Sequence, residues 1–354
     1  MKNRRRWLAG TLSAAMLMGL LTGCGGGPSS SGTDAAADTA AETTDDGLTK
    51  LSVQLSWLPQ GEFMGYYVAQ AKGYYEDEGL DVEILPGSSD VSPAEQVENG
   101  VVQLGNGFYT DILSYREAGY DLVNVAQWYQ DSPLYLVSKK SAGINTPADL
   151  KGKRIGSWFG GQQYEIYALL GKYGIDRDND VEWVQQDFTM DAFYNDQLDA
   201  ASAMSYNEYH LVLDNGYAPE DLNVINMNDE DVNMYEDCLF VKRDWAEANA
   251  DTLTKFIRAT VKGWRDACAD TEEAGNICWE AGQSVSLQHQ LDMCAEAAKA
   301  VCPDDIGPEK IGWIDPEEAQ KTIDLGCEYT LLNEKVDYTE SVDTSYWEAA
   351  TAEE

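Results

Sequence analysis

The sequence predicts an α/β protein of two lobes with a ligand cleft between them. Two series of alternating strand and helix patterns indicate this class, one beginning at residues 51–84 and the other near residue 151. Each series opens with a strand pattern that ends in a tryptophan and leads into a helix pattern. Ligands of open α/β sheets lie beyond the carboxyl ends of the strands, so the paired tryptophans predict one site shared by both lobes.

The first series begins with a strand and a turn that carries candidate ligand-binding residues. Residues 51–57 alternate apolar with polar side chains, the period of a strand, and Pro59 ends that strand. A helix pattern and a second strand pattern follow as far as Ile84. Aromatic side chains beside a carboxylate suit a planar, nitrogen-rich ligand. The residues expected to bind it in this turn are Trp57, Glu62, Phe63 and Tyr66.

The next segments extend the first lobe. A strand pattern over residues 101–106 ends among glycines, where the backbone can approach a ligand closely, and we expect Asn106 to contact it. A helix pattern over 108–118 and a strand pattern over 122–128 continue a sheet of the parallel type.

The second lobe repeats the opening of the first. Residues 151–156 lead into a strand, glycines follow its terminal tryptophan, and a helix pattern covers 162–173. The glycines could cradle an anion at the start of the helix or allow a tight turn, but no phosphate-loop pattern surrounds them. The tryptophans that end the two opening strands could also be core residues. The residues expected at the ligand in this segment are Trp158, Gly160, Gly161 and Glu165.

A third group of candidates stands where a later strand gives way to a helix. The strand pattern covers residues 200–204, and the helix pattern covers 206–215. We expect Tyr206, Asn207 and Glu208 to face the ligand, although the last two could merely cap the helix. A strand pattern over 239–241 indicates a return to the first lobe, which later helix patterns would buttress.

The N-terminus has the order of a lipoprotein export signal. Basic residues precede an apolar run over 7–21, and a Leu-Thr-Gly-Cys sequence ends at Cys24. We expect residues 1–23 to be a signal peptide, Cys24 to be lipidated, and residues 24–47, which lack large apolar side chains, to be a flexible linker. An uncleaved anchor helix is the alternative, but the apolar run is shorter than a membrane span requires.

Charge and residue usage exclude several classes of function. The formal net charge of −38 excludes nucleic acid as a partner and would repel anionic lipid, so the lipid anchor must hold the protein at the membrane. Two histidines and no Cys-x-x-Cys pair argue against a metal site. The six cysteines after Cys24 leave disulfides and buried free thiols equally open. No nucleophile motif occurs, so we expect neither enzymatic activity nor a cofactor.

Four segments together resemble a known family. Residues 51–84, 151–158, 199–209 and 239–264 are similar to periplasmic solute-binding proteins of ABC transporters, of the thiamine-pyrimidine and sulfonate type. This resemblance implies the type II periplasmic-binding-protein fold, with its ligand cleft between lobes. It also implies a discontinuous first lobe, residues 48–140 plus 236–350, around a second lobe of residues 141–235.

The resemblance also implies a function. The turn after the first strand, the segment WFGGQQYE and the segment SAMSYNEY are similar to the branch that binds pyrimidine vitamin precursors or riboflavin. We therefore expect a monomeric extracytoplasmic lipoprotein that binds a small heteroaromatic solute, first of all a thiamine pyrimidine precursor, and delivers it to an ABC permease. Riboflavin is the alternative ligand. Thiamine pyrimidine synthases are similar in sequence, but they carry adjacent cysteines that this chain lacks. A structural or adhesive lipoprotein would not need the paired aromatic residues.

Overall fold

The computed structural model describes residues 43–352 except 46, 89, 160, 188, 305, 330 and 331. The signal peptide, the lipidation site Cys24, nearly all of the linker and Gly160 therefore lie outside the described residues.

The first sheet is built from both ends of the described chain. Its strand order is β2-β1-β3-β10-β4, in which β1 pairs in parallel with β2 and β3. β10 runs antiparallel to both of its neighbours. The strands are β1 (Thr49–Gln54), β2 (Leu80–Leu85), β3 (Leu104–Gly107), β4 (Leu122–Gln127) and β10 (Cys238–Lys242).

The second sheet repeats this arrangement with the order β7-β6-β8-β5-β9. β6 pairs in parallel with β7 and β8, whereas β5 runs antiparallel to β8 and β9. The strands are β5 (Leu134–Lys139), β6 (Arg154–Ser157), β7 (Glu182–Gln185), β8 (Ala200–Met204) and β9 (Leu222–Asn226). The predicted α/β fold with two lobes is confirmed, and we call the parts built on the two sheets lobe one and lobe two.

Two crossover segments, residues 128–133 and 227–237, connect the lobes. The strand after each crossover, β5 or β10, enters its sheet from the opposite lobe and runs against its neighbours. The sheets are therefore mixed rather than purely parallel. The sequence predicts a lobe boundary after residue 140, but β5 pairs within the second sheet, so the boundary lies before Leu134.

Thirteen α-helices cover the sheets within the described residues. Those that precede the return crossover are α1 (Met64–Ala71), α2 (Tyr74–Asp77), α3 (Pro93–Glu98), α4 (Tyr109–Glu117), α5 (Gln163–Lys172), α6 (Asp191–Tyr194) and α7 (Glu208–Asp214). Those that follow it are α8 (Arg243–Ala248), α9 (Ala250–Ala269), α10 (Thr271–Ala281), α11 (Leu287–Val301), α12 (Pro316–Glu328) and α13 (Ser345–Thr351).

The core of lobe one depends on a close approach of α1 and α9. A Cβ at Gly65 would lie 2.2 Å from the ring of Trp264, and a Cβ at Gly263 would lie 2.2 Å from the carbonyl oxygen of Gly65. Neither glycine can gain a side chain without separating the helices. This contact holds α1 rigidly, and with it the turn between β1 and α1 that carries part of the site.

The remaining features bear on location and redox state. Within the described part of the chain, no helix is both long and apolar enough to cross a membrane. The six cysteines after Cys24 all carry free thiols, and Cys238, Cys278 and Cys294 are buried. Of the two possibilities that the sequence left open for these cysteines, the structure has the free thiols.

Candidate functional site

A cavity of about 700 Å³ lies between the lobes, and parallel strands of both sheets end at it. Its walls are formed by the segments that follow β1, β2 and β3 in lobe one and β6, β7 and β8 in lobe two. The carboxyl ends of parallel strands share one edge of a sheet, which explains why six separate segments meet here.

The structure brings half of the predicted site residues into this cavity. They come from three strand ends, which is where the sequence placed them. The predicted residues that line the cavity are Trp57, Glu62, Trp158, Tyr206, Asn207 and Glu208. The other described candidates, Phe63, Tyr66, Asn106, Gly161 and Glu165, do not line it.

Phe63 and Tyr66 lie in the core of lobe one. Both side chains are fully buried. The hydroxyl of Tyr66 accepts a hydrogen bond from Nε1 of Trp128 at 2.7 Å, and the two rings meet edge to face with centroids 5.9 Å apart. The packing of α1 against α9 turns Tyr66 inward, so the structure places it in the core and not at the ligand, where we expected it.

Asn106 supports the cavity from beneath its surface. Its side chain is buried, with Oδ1 3.2 Å from the hydroxyl of Ser56, which lines the cavity. Its amide nitrogen lies 3.5 Å from the hydroxyl of Tyr66. Asn106 thus connects the cavity wall to the core and is not itself exposed to a ligand.

Glu165, in the first turn of α5, is buried and joins the two crossover segments. It accepts hydrogen bonds from the hydroxyl of Ser132 at 2.7 Å and from the backbone N–H of Met234 at 2.5 Å. Ser132 belongs to one crossover segment and Met234 to the other. Burial raises the pKa of Glu165 to about 8. We interpret Glu165 as a structural residue that joins the two crossover segments by hydrogen bonds.

Gly161 provides a close approach between the lobes. Its φ is +146°, and a Cβ there would lie 3.0 Å from Oδ1 of Asp111 on α4 of lobe one. Its backbone N–H already donates to Oε1 of Gln163 at 2.9 Å. An anion at Gly161 would face the carboxylate of Asp111, and the backbone N–H of Gly161 already donates to Gln163. The structure therefore favours the tight turn over an anion site at this glycine.

Two aromatic side chains that line the cavity remain partly exposed, which a core tryptophan would not be. Trp57 and Trp158 are both half-buried and pack against the edge of the core. Nε1 of Trp158 donates to the backbone oxygen of Asp187 at 3.0 Å, which fixes the ring plane. Tyr206 is buried, with its ring centroid 5.9 Å from that of Tyr129. The two tryptophans therefore present ring surface from opposite lobes.

The lining of the cavity is acidic. Among the described residues that form it there are six carboxylates and no lysine, arginine or histidine. The carboxylates are Glu62, Asp90, Glu95, Asp111, Asp187 and Glu208. Burial raises the pKa of Asp111 to about 8 and that of Glu208 to about 7, because no neighbouring cation offsets the loss of water. Such a wall favours a ligand that donates hydrogen bonds or carries positive charge.

Glu208 and Asn207 are held by hydrogen bonds that differ from a helix cap. The carboxylate of Glu208 accepts from the N–H of Met204 at 3.0 Å and from the side-chain amide of Asn207 at 2.8 Å. The side chain of Asn207 makes no capping hydrogen bond to α7. The structure therefore orients Glu208 toward the cavity with one oxygen fixed on each side.

Two further carboxylates, Glu236 and Asp237, form a second layer behind Glu62 that the sequence did not predict. Glu236 and Asp237, in the return crossover segment, are both buried. Gln60 donates to Glu62 at 2.5 Å. Burial first, and the charge of Asp237 second, raise the pKa of Glu62 well above its usual value. Burial also raises the pKa of Asp237 to about 7, and protonation of one member of this pair relieves the repulsion between two buried carboxylates.

Sequence reasoning missed this layer because acidic residues are common in the chain. The one available signal was the pair Glu236-Asp237 directly before an apolar strand, where a buried strand leaves little water for charges. Asp111 carried no local signal, because it reaches the cavity through the packing of α4 and not through a strand end.

Comparison with known proteins gives related sequences and folds. The family model described as NMT1/THI5 like matches residues 60–274. The riboflavin-binding protein RibY of Chloroflexus aurantiacus is 29% identical over 252 residues, which are 69% of this chain and 70% of that protein. The formylaminopyrimidine-binding protein of Halalkalibacterium halodurans is 24% identical over 249 residues, 69% of this chain and 74% of that protein. The periplasmic aliphatic sulphonate binding protein SsuA from Escherichia coli has a similar fold, with a TM-score of 0.66, 19% identity, and coverage of 83% of this chain and 92% of that chain.

Proposed function

Because the chain belongs to the NMT1/THI5-like family, we propose that it is the solute-binding protein of an ABC importer and that its ligand is a small heteroaromatic compound, first of all a thiamine pyrimidine precursor. The observation that carries this proposal is the cavity between the lobes. Its two half-exposed tryptophans offer flat surfaces to a ring, and its carboxylates accept hydrogen bonds from amino groups or ring N–H groups.

The charge of the cavity selects among the ligands that related proteins bind. A sulfonate would be buried beside Glu62 and Glu208 with no cation to pair with among the described lining residues, which costs free energy. An aminopyrimidine has the opposite property, because its amino group donates and its ring nitrogen can take up a proton. The acidic wall therefore supports the pyrimidine branch over the sulfonate branch.

Riboflavin is the second candidate, and the cavity volume is the observation that favours it. About 700 Å³ lies within the range of cavities that bind drug-sized ligands, roughly 300–1,000 Å³, and exceeds what a single pyrimidine ring fills. The similar protein RibY is named as a riboflavin-binding protein. The ribityl hydroxyls could donate to the carboxylates, whereas the isoalloxazine ring supplies few donors of its own.

We propose that the bound solute leaves chemically unchanged. The two relatives described above are both named as binding proteins. A thiamine pyrimidine synthase-like enzyme is the alternative of another class. Incubating the protein with the aminopyrimidine and identifying the released compound by mass spectrometry tests this, because a synthase-like enzyme would return a modified product.

The proposal also covers the location of the protein and its partner in the membrane. We propose a lipoprotein anchored outside the membrane through Cys24, monomeric, that presents its closed form to an ABC permease. Lobe one would comprise residues 48–133 and 236–350, and lobe two residues 134–235. A ligand that touches both lobes favours the closed arrangement by its differential contacts, and closure is what a permease can recognise.

Isothermal titration calorimetry tests the ligand class. We expect 4-amino-5-hydroxymethyl-2-methylpyrimidine to bind and taurine not to bind at the same concentrations. Riboflavin added to the same series separates the two candidates. Tight taurine binding would overturn the argument from the acidic lining of the cavity. If riboflavin binds more tightly than the pyrimidine, riboflavin is the ligand.

A further inference from the structure

A hydrogen-bonded chain connects lobe one to a cavity carboxylate of lobe two. His289 lies near the start of α11, and its Nε2 is 2.9 Å from Oδ1 of Asn207. The amide nitrogen of Asn207 donates in turn to Oε1 of Glu208 at 2.8 Å. His289 itself does not line the cavity, so it can act on a ligand only through these two residues.

The direction of each hydrogen bond follows from the chemistry of the groups. The amide nitrogen of Asn207 points toward Oε1 of Glu208 and the amide oxygen points toward His289, which is the arrangement that suits an ionised carboxylate, a group that can only accept. An amide oxygen can only accept, so His289 must donate through Nε2. The ring therefore carries its proton on Nε2 when neutral, which leaves Nδ1 as an acceptor that faces Asp214 at 3.6 Å.

The helix that carries His289 also contacts the turn of Glu62, a cavity carboxylate of lobe one. α11 packs against the turn at residues 61–63, where a Cβ at Gly61 would lie 2.9 Å from the sulfur of Cys294. This turn contains Glu62. One helix of lobe one thus contacts the segment of Glu62 directly and reaches Glu208 through Asn207.

We infer that His289 is a positioning residue of the ligand site, which holds Asn207 and Glu208 of lobe two at a fixed place relative to Glu62 of lobe one. The inference rests on the proposed function, because it concerns how the same cavity presents Glu62 and Glu208 to a ligand. Its physical basis is that a carboxylate with one defined orientation loses less conformational freedom when a ligand binds.

Burial favours the neutral form of this histidine. The side chain of His289 is buried, and burial lowers its pKa below the usual value. The charged and titratable groups that face it are Asp214 and His210 on α7 and Asp292 on α11. Protonation would add a donor at Nδ1 toward Asp214 and leave the Nε2–H donor in place, so the bond to Asn207 exists in both states.

Two substitutions of nearly equal size isolate the donor. His289→Gln keeps an N–H that can reach Asn207, whereas His289→Met has similar length and no donor. In calorimetry with 4-amino-5-hydroxymethyl-2-methylpyrimidine, we expect His289→Met to bind about 10-fold more weakly than the parent and His289→Gln within about threefold of it. His210→Met is the matched control, because His210 lies in the same contact between α7 and α11 and faces Glu296 instead of a cavity residue. It should bind as the parent does.

Each outcome decides a different point. Equal affinities of His289→Met and His289→Gln, or a similar loss in His210→Met, would show that the contact only packs the lobes, and the inference would be wrong. Absence of binding by the parent itself would count against the proposed ligand and not against the hydrogen-bonded chain. The hydrogen-bonded chain from His289 to Glu208 can also be tested without a substitution. ¹⁵N NMR of the histidine rings in the parent protein must show the Nε2–H tautomer for His289. An Nδ1–H tautomer would overturn the inference even if every variant failed to fold.

Discussion

Replacing Trp158 by alanine tests whether the two lobes hold a ring between them. Trp158 follows the first strand of its series in lobe two, as Trp57 does in lobe one, and both line the cavity. The substitution removes an aromatic face while leaving the backbone of the turn in place. Its effect on ligand binding and its effect on folding have different sizes, and the structure predicts both.

The loss of binding follows from stacking. Removing one aromatic partner from a stacked base costs about 1–3 kcal/mol, which corresponds to roughly 5- to 150-fold in Kd. The loss of folding stability should be smaller, because the side chain is only half-buried and makes one hydrogen bond, from Nε1 to the backbone oxygen of Asp187. That bond contributes about 1 kcal/mol. A fully buried tryptophan would instead cost about 3–5 kcal/mol of unfolding free energy.

The assay measures Kd by calorimetry and apo stability by urea unfolding on the same samples. Trp158→Phe is the first control, since it retains a ring and should keep most of the affinity. Trp128→Ala is the second, because Trp128 is fully buried and donates to Tyr66, so it should show the larger loss of unfolding free energy. Unchanged affinity in Trp158→Ala together with a loss of stability as large as that of Trp128→Ala would refute the reasoning and make Trp158 a packing residue.

Three further expectations follow from the site and the N-terminus. The pKa of Glu208 in the folded protein is raised to about 7, so between its unfolded-state and folded-state pKa values the folded protein binds more protons than the unfolded chain. The unfolding free energy of the apo protein should therefore fall as pH rises from about 5 to about 8. A Glu208→Gln variant measured by urea unfolding should show a flatter pH profile. Gly161→Ala places a Cβ 3.0 Å from Oδ1 of Asp111, at a backbone φ angle that L residues rarely adopt. Calorimetry should therefore show that this variant binds the ligand at least about 10-fold more weakly. Parent-like affinity would mean that ligand binding does not require the two lobes to approach at Gly161. Cys24→Ser should appear in the soluble fraction after cell fractionation, whereas retention in membranes at high salt would contradict the lipid anchor.

The sequence was a good guide wherever a local pattern decided the outcome. Alternating side chains located the first strand, and the ends of the predicted strands located Trp57, Trp158 and Tyr206 at the cavity. These inferences succeed because the period of a strand and the place of its carboxyl end are properties of a short segment. The acidic character of the site also agrees with the composition, although composition did not say which acids are buried.

The sequence was a poor guide to helical residues next to the site. Tyr66 and Trp57 are separated by only a few residues and both looked like ring partners, yet the packing of α1 on α9 turns Tyr66 into the core. Glu165 also stood beside a strand end, but its position on α5 directs it to the crossover segments. The rotation of a helix about its axis depends on what packs against it, and no local pattern contains that information.

By itself, the sequence determined the α/β class, the two similar series of elements and the strand ends that carry ring surfaces, because each of these follows from the periodicity and chemistry of adjacent residues. Only the tertiary structure decided that Asp237 faces Glu62, that Asp111 meets Gly161 across the cleft and that His289 reaches Asn207 from the other lobe. The members of each pair are remote in sequence, and they meet because the packing of helices and crossover segments around the two sheets brings them together.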